Sequence, residues 1–223
     1  MKLFKRFCWL LLLLPLCANA QTFETGGIVG IEYDMKILKG WHWNAETNVR
    51  FNNNFTQYDR WKIGVGTDYT FWKKRVKLAA AYSFMHYYDS ENCNDFRHRI
   101  TASLTLGEKF GAVKISYRAA FQSTFRNERR GDYAFNPKTY MRNRLLVTYS
   151  IPQKPVKLYA SEECWLRLYH PEKHIVDELR TTLGVKYNIN KHHALDFYIR
   201  STNEIQVPNP RNVLFVGISY LID

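Results

Sequence analysis

Arginine is the residue type with the most evident chemical capacity in this chain, because it recurs on one side of an alternating pattern. Its guanidinium group stays charged at neutral pH and presents five N–H donors in a rigid fork that fits carboxylates and phosphates. Where apolar and polar residues alternate, successive side chains point to opposite faces of a strand. Parity then places nine arginines on the polar face: Arg50, Arg97, Arg99, Arg118, Arg126, Arg142, Arg144, Arg180 and Arg200. Arginines gathered on one face predict a surface that binds anions or pairs with acids.

Acidic residues share that polar face and are the natural partners of the arginines. Parity places the following acids there: Glu32, Asp34, Glu46, Asp68, Glu163, Asp196 and Glu204. If the polar face is an interior, its charges must be paired or hydrated. Two interpretations follow, namely an interior filled by an ion-pair network, and a basic constriction that lets small anions through.

The strands that position these residues are identified by apolar and polar residues that alternate with a period of two. Residues 42–52, HWNAETNVRFN, put Trp43 and Val49 on one face and Glu46 and Arg50 on the other. Eleven segments with such alternation or strand composition run approximately over 22–36, 41–52, 59–72, 76–88, 96–107, 112–126, 140–151, 156–169, 177–188, 192–204 and 212–222. They are longer than the ~5–6 residues usual in globular strands and reach the ~9–11 needed to cross a bilayer.

The connections between these segments alternate in length. Short ones lie at 37–40, 73–75, 108–111, 152–155 and 190–191, and longer polar ones contain NNNFTQY, DSENCND, RNERRGDYAFNPKT, HPEKHIV and IQVPNPR. Short turns at one end and longer loops at the other are typical of an outer-membrane barrel, with the turns periplasmic and the loops extracellular. We therefore predict an all-β fold, a single antiparallel up-and-down transmembrane β-barrel of ten to twelve strands.

The odd number of segments conflicts with the even strand counts of bacterial single-chain barrels. Gly26 and Gly27 would bend the first segment into an arm and leave ten strands. A further short strand would instead make twelve. The sequence leaves both options open.

The first twenty residues predict export. MKLFKRF is basic, CWLLLLLPLC is apolar, and Ala18-Asn19-Ala20 is a cleavage site of small residues, so we expect a signal peptide at 1–20 and the barrel at 21–223. The whole chain carries a net charge of +12, and the signal peptide accounts for three of these charges. A basic exported protein favours membrane lipid and lipopolysaccharide phosphates as partners, and nucleic acid is not expected. The predicted location is the outer membrane of a Gram-negative bacterium, reached through the barrel-assembly machinery.

Several stretches of the chain carry a resemblance to a known family. They are, in order, GIEYDMKILKGWHWNAETNVRFNNN, FRHRI, YMRNRLLVTYSIP, DELRTTLGVKYNINKHHALDFYIR and NVLFVGISY. Together they resemble an uncharacterised outer-membrane family of Bacteroidetes-type bacteria, domain of unknown function 2490. The resemblance spans nearly the whole mature chain and implies an outer-membrane β-barrel. The family has no established activity, so the resemblance implies no functional residues.

Motifs for catalysis and metal binding, such as GxSxG, HExxH or a P-loop, do not occur, so we predict no catalytic residue, cofactor or metal. Ser83 and His86 are close in sequence, but an interval of three places them on opposite faces of a strand. Cys93 and Cys164 are expected to be free thiols, since nothing in the sequence brings them together.

The leading prediction is a non-enzymatic barrel of undetermined oligomeric state. It would be a narrow or plugged channel for small solutes, anionic ones in particular, or a structural or surface-interaction protein. Two alternatives stay open. One is a membrane-embedded lipid hydrolase or lipid A-modifying enzyme. The other is a soluble periplasmic lipocalin-like binder, in which Val49, Ile63 and Leu104 would point inward.

Overall fold

The computed structural model describes residues 22–88, 94–126, 137–169, 175–206 and 210–223, and the regular structure in these ranges is entirely β. The strands are β1 (Thr22–Leu38), β2 (Trp41–Asn52), β3 (Gln57–Phe71), β4 (Val76–Tyr88), β5 (Asn94–Phe110), β6 (Val113–Arg126), β7 (Lys138–Ser150), β8 (Val156–Leu168), β9 (Ile175–Asn188), β10 (His193–Glu204) and β11 (Arg211–Ile222). They correspond one to one to the eleven predicted segments. In this described part of the chain, no helix is long and apolar enough to cross a membrane. The predicted signal peptide and Cys93 lie outside it.

The strands form one closed barrel in which each strand pairs with its neighbours in the chain. All consecutive pairs are antiparallel, as predicted, and the barrel closes through a parallel pair between β1 and β11 that runs from Thr22 beside Arg211 to Tyr33 beside Ile222. The expectation of an even number of strands, either ten or twelve, is therefore wrong. An odd number of alternating strands makes the first and last run in the same direction, so only a parallel pair can close the sheet.

The interior contains an apolar cluster at the seam between β1 and β11, where the barrel closes. Ile28, Tyr198, Val213 and Phe215 form a buried cluster there, and Phe215 has no exposed surface. The ring of Phe215 occupies the space that a side chain at Gly26 would need. Gly26 therefore admits an aromatic ring against the wall instead of bending β1 into an arm.

Alternation is maintained around the barrel, and the apolar face points outward. Trp43 is 50% exposed, Ile63 43%, Leu104 40%, Phe121 46% and Leu183 59%. All of these residues lie on the strand face that the sequence pattern predicts to be apolar. The prediction that the apolar face points outward is confirmed. The chain does not form a lipocalin-like arrangement with these side chains inside.

The connections at the two ends of the barrel differ less in length than predicted. At the end that holds residues 39–40, 72–75, 111–112 and 151–155, every connection is short. At the opposite end, strands β2 and β3 extend into the predicted NNNFTQY loop and leave only residues 53–56 between them. This part of the prediction is wrong because Tyr58 and Gln57 pair with Phe51 and Asn52 across the hairpin. We call the two ends the turn end and the loop end.

Replacing Gly217 with alanine is expected to destabilise the barrel by about 1–3 kcal/mol. Gly217 faces inward beneath the buried ring of Tyr198, and a methyl group would overlap that ring. Urea unfolding of the protein refolded in detergent micelles, followed by tryptophan fluorescence, measures the effect. The matched control is Gly107→Ala, since a methyl group there meets only ordinary contacts of 3.4 Å or more. Equal stability of the two variants would contradict the close packing of Tyr198.

Candidate functional site: the charged interior

The inward face of the barrel carries twelve of the charged residues that parity places on the polar face. Each side chain lies on the face opposite to the exposed apolar residues of its strand. The set is Arg50, Arg97, Arg99, Arg118, Arg142, Arg144, Arg180, Arg200, Glu46, Asp68, Glu163 and Asp196. An eleven-stranded barrel is roughly 20 Å wide between backbones, so long side chains from distant strands approach one another.

Glu163 on β8 is the acidic centre of one half of this interior. Its carboxylate accepts hydrogen bonds from Nη2 of Arg118 at 2.6 Å and from Nη2 of Arg142 at 2.9 Å and 3.0 Å. The indole Nε1 of Trp165 donates to it at 3.2 Å. Arg142 also donates through Nη1 to Oε1 of the fully buried Gln122 at 2.7 Å. One carboxylate thus compensates two guanidinium groups.

Trp165 contacts two of the arginines through its ring. The guanidinium carbons of Arg142 and Arg180 are each 4.0 Å from the centre of its ring system. A cation over an indole face is attracted by the negative potential of the ring. Arg180 also pairs with Glu178, two residues before it on β9. Arg142 and Arg180 thus each have an aromatic partner in addition to an acidic one.

A second paired group lies on strands β2 to β5 near the loop end. Nε of Arg50 is 3.1 Å from Asp59, and Arg60 donates through Nη1 to the hydroxyl of Tyr87 at 2.7 Å. The guanidinium carbon of Arg97 lies 3.8 Å from the centre of the Tyr87 ring, and its Nη2 is 2.6 Å from Asp95. Aromatic faces therefore help to accommodate arginines on this side as well.

Two aspartates enter the interior through β-bulges, and strict alternation in the sequence predicts neither of them. Asp59 is the extra residue of β3 between the pairs Arg50–Arg60 and Phe51–Tyr58. Asp177 is the extra residue of β9, and its Oδ2 accepts the hydroxyl of Tyr140 at 2.9 Å. A bulge shifts the parity of a strand by one, so strict alternation cannot place these residues. The other missed contributors, which parity alone could have found, are Arg60, Tyr87, Asp95, Trp165 and Glu178.

Of the eight arginines in this set, three have no ion pair with an acid among the described residues: Arg99, Arg144 and Arg200. Nε of Arg99 donates to the hydroxyl of Thr124 at 3.2 Å, and Nε of Arg200 donates to that of Thr182 at 3.2 Å. All three are only partly buried. They leave a positive excess on water-accessible side chains.

Arg180 on β9 faces the lumen together with Arg99 on β5, Arg144 on β7 and Arg200 on β10. These strands lie at different positions around the closed sheet, so their arginines extend into the lumen from several sides. We call Arg99, Arg144, Arg180 and Arg200 the arginine constriction.

The other predicted acids do not join this constriction. Glu46 pairs with Lys62 at 2.5 Å, Asp68 with Lys77 at 2.7 Å, and Asp196 accepts the hydroxyl of Tyr159 at 2.9 Å. Asp68 also borders a polar cavity of about 400 Å³ at the turn end, lined by Asp34, Lys36, His42, Asp68, Thr70, Lys77 and Asp223. The interior is therefore divided into a turn-end part with balanced charge and an arginine-rich part nearer the loop end.

The residues considered for catalysis are not brought together. Ser83 is buried on the inward side, whereas His86 lies on the outward side with Nδ1 3.4 Å from the hydroxyl of Tyr58. His98 is also outward, with Nδ1 2.6 Å from the hydroxyl of Tyr82. Cys164 is a free thiol. In the described ranges, no group of three His, Cys, Asp or Glu side chains could hold a metal ion.

A family model described as "Protein of unknown function (DUF2490)" matches residues 29–212, which is most of the chain. The chain belongs to the DUF2490 family. This DUF2490 member matches no curated protein. The matched range extends from the middle of β1 to the start of β11 and thus includes the arginine constriction.

Two solved structures show what the fold of this DUF2490 chain is similar to. The "Anion-selective porin from Comamonas acidovorans" shares 14% identity with a TM-score of 0.39 over 86% of this chain, which spans only 55% of the porin's length. A structure from the work "Unveiling the Mechanism Behind the in-meso Crystallization of Membrane Proteins" shares 11% identity with a TM-score of 0.42, over 86% of this chain and 79% of the other. At these identities the likeness concerns the fold alone.

Proposed function

We propose that this DUF2490 member is an outer-membrane β-barrel of a Gram-negative bacterium, inserted after removal of residues 1–20, and that its lumen passes small anions. The proposed role is non-enzymatic. The observation that carries the proposal is the arginine constriction, in which Arg99, Arg144 and Arg200 have no described acid partner and retain surface that water can reach.

The membrane location is supported by the outer wall of the barrel. The strands are 12–17 residues long, above the ~9–11 needed to cross a bilayer. Exposed apolar side chains cover the outward face of every strand, far more than a soluble monomer tolerates. Large aromatic residues are exposed near the strand ends, as Trp41, Trp72 and Tyr169 are. Such girdles suit the two interfaces of a bilayer.

The preference for anions is supported by the balance of charge at the constriction. Unpaired guanidinium groups repel cations and offer N–H donors to an anion that has lost part of its hydration. The paired arginines of the interior do not supply this effect, because Glu163, Glu178 and Asp59 already compensate them. The fixed pairs instead narrow the lumen and hold its wall, so we expect a small conductance.

The two alternative functions lack comparable support. A soluble binder would need an apolar cavity inside, whereas the buried apolar cluster of the described interior lies against the wall at the β1–β11 seam. A lipid hydrolase built on Ser83 and His86 would need both groups on one face, and they lie on opposite faces. His86 and His98 sit on the outward side toward the loop end, where lipid headgroups and lipopolysaccharide are the proposed neighbours. We also propose that the barrel-assembly machinery inserts this barrel into the membrane.

Reconstitution in planar bilayers tests the proposal. With a salt gradient of KCl across the membrane, the reversal potential is expected to have the sign that marks chloride as the more permeant ion. Bilayers treated with the same detergent but no protein provide the baseline. Absence of conductance above that baseline, or a reversal potential of the opposite sign, would overturn the proposed anion passage.

A further inference from the structure

One acidic side chain interrupts the apolar outer wall at its middle. Glu162 lies at the centre of β8, points outward and is exposed. On the same face, Leu145 lies directly across on β7 and is 50% exposed, and Leu158, four residues before Glu162 on β8, is 41% exposed. Among the described strand residues away from the strand ends, it is the only Asp, Glu, Lys or Arg on the outward face. An ionisable group at this depth is costly against lipid and marks a functional position.

Glu162 belongs to a small polar group that is only partly satisfied. Thr181, its direct neighbour on β9, donates a hydrogen bond from Oγ1 to Oε2 of Glu162 at 2.6 Å. On β7, Oδ1 of Asn143 accepts the hydroxyl of Tyr117 at 2.7 Å. Within the described residues, Oε1 of Glu162 and the amide nitrogen of Asn143 have no hydrogen-bond partner. The wall thus presents one free acceptor and one free donor side by side.

We infer that this face, centred on β7 and β8, is a self-association surface on which Asn143 of one copy donates to Glu162 of a second copy. The inference rests on the proposed membrane location. Two copies inserted in the same direction can be related by a two-fold axis along the membrane normal, which keeps every residue at its own depth. Asn143 and Glu162 each lie within one residue of the middle of their strands, so the pairing occurs twice about an axis between β7 and β8.

Complementarity favours a second copy over lipid as the occupant. Lipid chains offer neither a donor for the free carboxylate oxygen nor an acceptor for the free amide. A second copy supplies both at the correct depth, and the exposed side chains of Leu145 and Tyr117 provide apolar contact around them. Cys164, which is directly across from Asn143, lies on the same face and would be covered by the association.

Sedimentation equilibrium in density-matched detergent micelles tests this inference. Wild type is expected to form a dimer, and Glu162→Leu and Asn143→Leu are each expected to raise its dissociation constant at least about tenfold. Glu162→Gln keeps a hydrogen-bonding group and is expected to stay within about threefold of wild type. The matched control is Thr47→Leu, a polar-to-leucine change on the outward face of β2 at the opposite side of the barrel. It should leave the dimer intact.

Three further outcomes would overturn this inference, and they differ in whether the proposed function survives. Wild type that is monomeric in micelles at all concentrations, yet conducts in bilayers, would overturn the self-association alone. A dimer that Glu162→Leu and Asn143→Leu leave unchanged would also overturn it. Wild type that is folded and monodisperse in water without detergent would overturn the membrane location and, with it, the inference. Urea unfolding checks that the leucine variants are folded, and we expect a folded barrel because leucine suits an outward position.

Discussion

Replacing Glu163 with glutamine is expected to lower the free energy of unfolding by about 3 kcal/mol. The carboxylate is buried and is the only described acid that pairs with Arg118 and Arg142. Glutamine keeps the size of the side chain but removes the charge, which leaves two guanidinium groups uncompensated inside the barrel. Urea unfolding of the refolded protein, followed by tryptophan fluorescence, measures the loss.

The control for this experiment is the same change at an exposed ion pair. Glu108 lies 2.8 Å from Nε of Arg75 near the turn end, and the two side chains are 41% and 56% exposed. Water already solvates both partners, so Glu108→Gln is expected to cost less than about 1 kcal/mol. If both variants lose the same amount, Glu163 is not the compensating charge that the geometry indicates.

Removing the three unpaired arginines together, as Arg99→Gln, Arg144→Gln and Arg200→Gln, is expected to abolish the anion preference. These residues pair with no described acid. Their replacement therefore removes positive charge from the lumen and leaves no acid without its partner. We expect the anion-to-cation permeability ratio to fall by about threefold or more, toward or below unity. The reversal potential in a KCl gradient measures the ratio directly.

The matched control removes the same amount of charge outside the lumen. Lys39, Lys73 and Lys74 lie in exposed turns at the turn end, and changing all three to glutamine leaves the arginine constriction intact. Selectivity is expected to stay close to that of wild type. An equal loss of selectivity in both triple variants would mean that net charge, and not the constriction, sets the preference.

The neighbours Glu162 and Glu163 illustrate how the barrel gives adjacent residues different tasks. One residue step along β8 turns the side chain from the outer wall to the interior. Glu163 meets arginines and stabilises the fold, whereas Glu162 meets the apolar wall and, by our inference, a second copy. The two variants Glu163→Gln and Glu162→Leu should therefore affect different quantities, stability in the first case and association in the second.

The sequence by itself determined the strands and their faces. The segments 41–52 and 76–88 coincide with β2 and β4. The assignment of Ile63 and Leu104 to the outside also follows from alternation alone. This is possible because the period of two is a local property of extended backbone, and it holds whatever the strand pairs with. The family was also evident from the sequence, since its pattern of segments spans most of the chain.

Only the tertiary structure decided how the strands close and which charges meet. The parallel β1–β11 pair depends on the two ends of the chain reaching one another. The bulges at Asp59 and Asp177 reset the parity of two strands. Arg142 pairs with Glu163 while Arg200 binds the hydroxyl of Thr182, and the register and curvature of the closed sheet determine this difference. Those quantities arise from pairing between distant segments, so no local pattern encodes them.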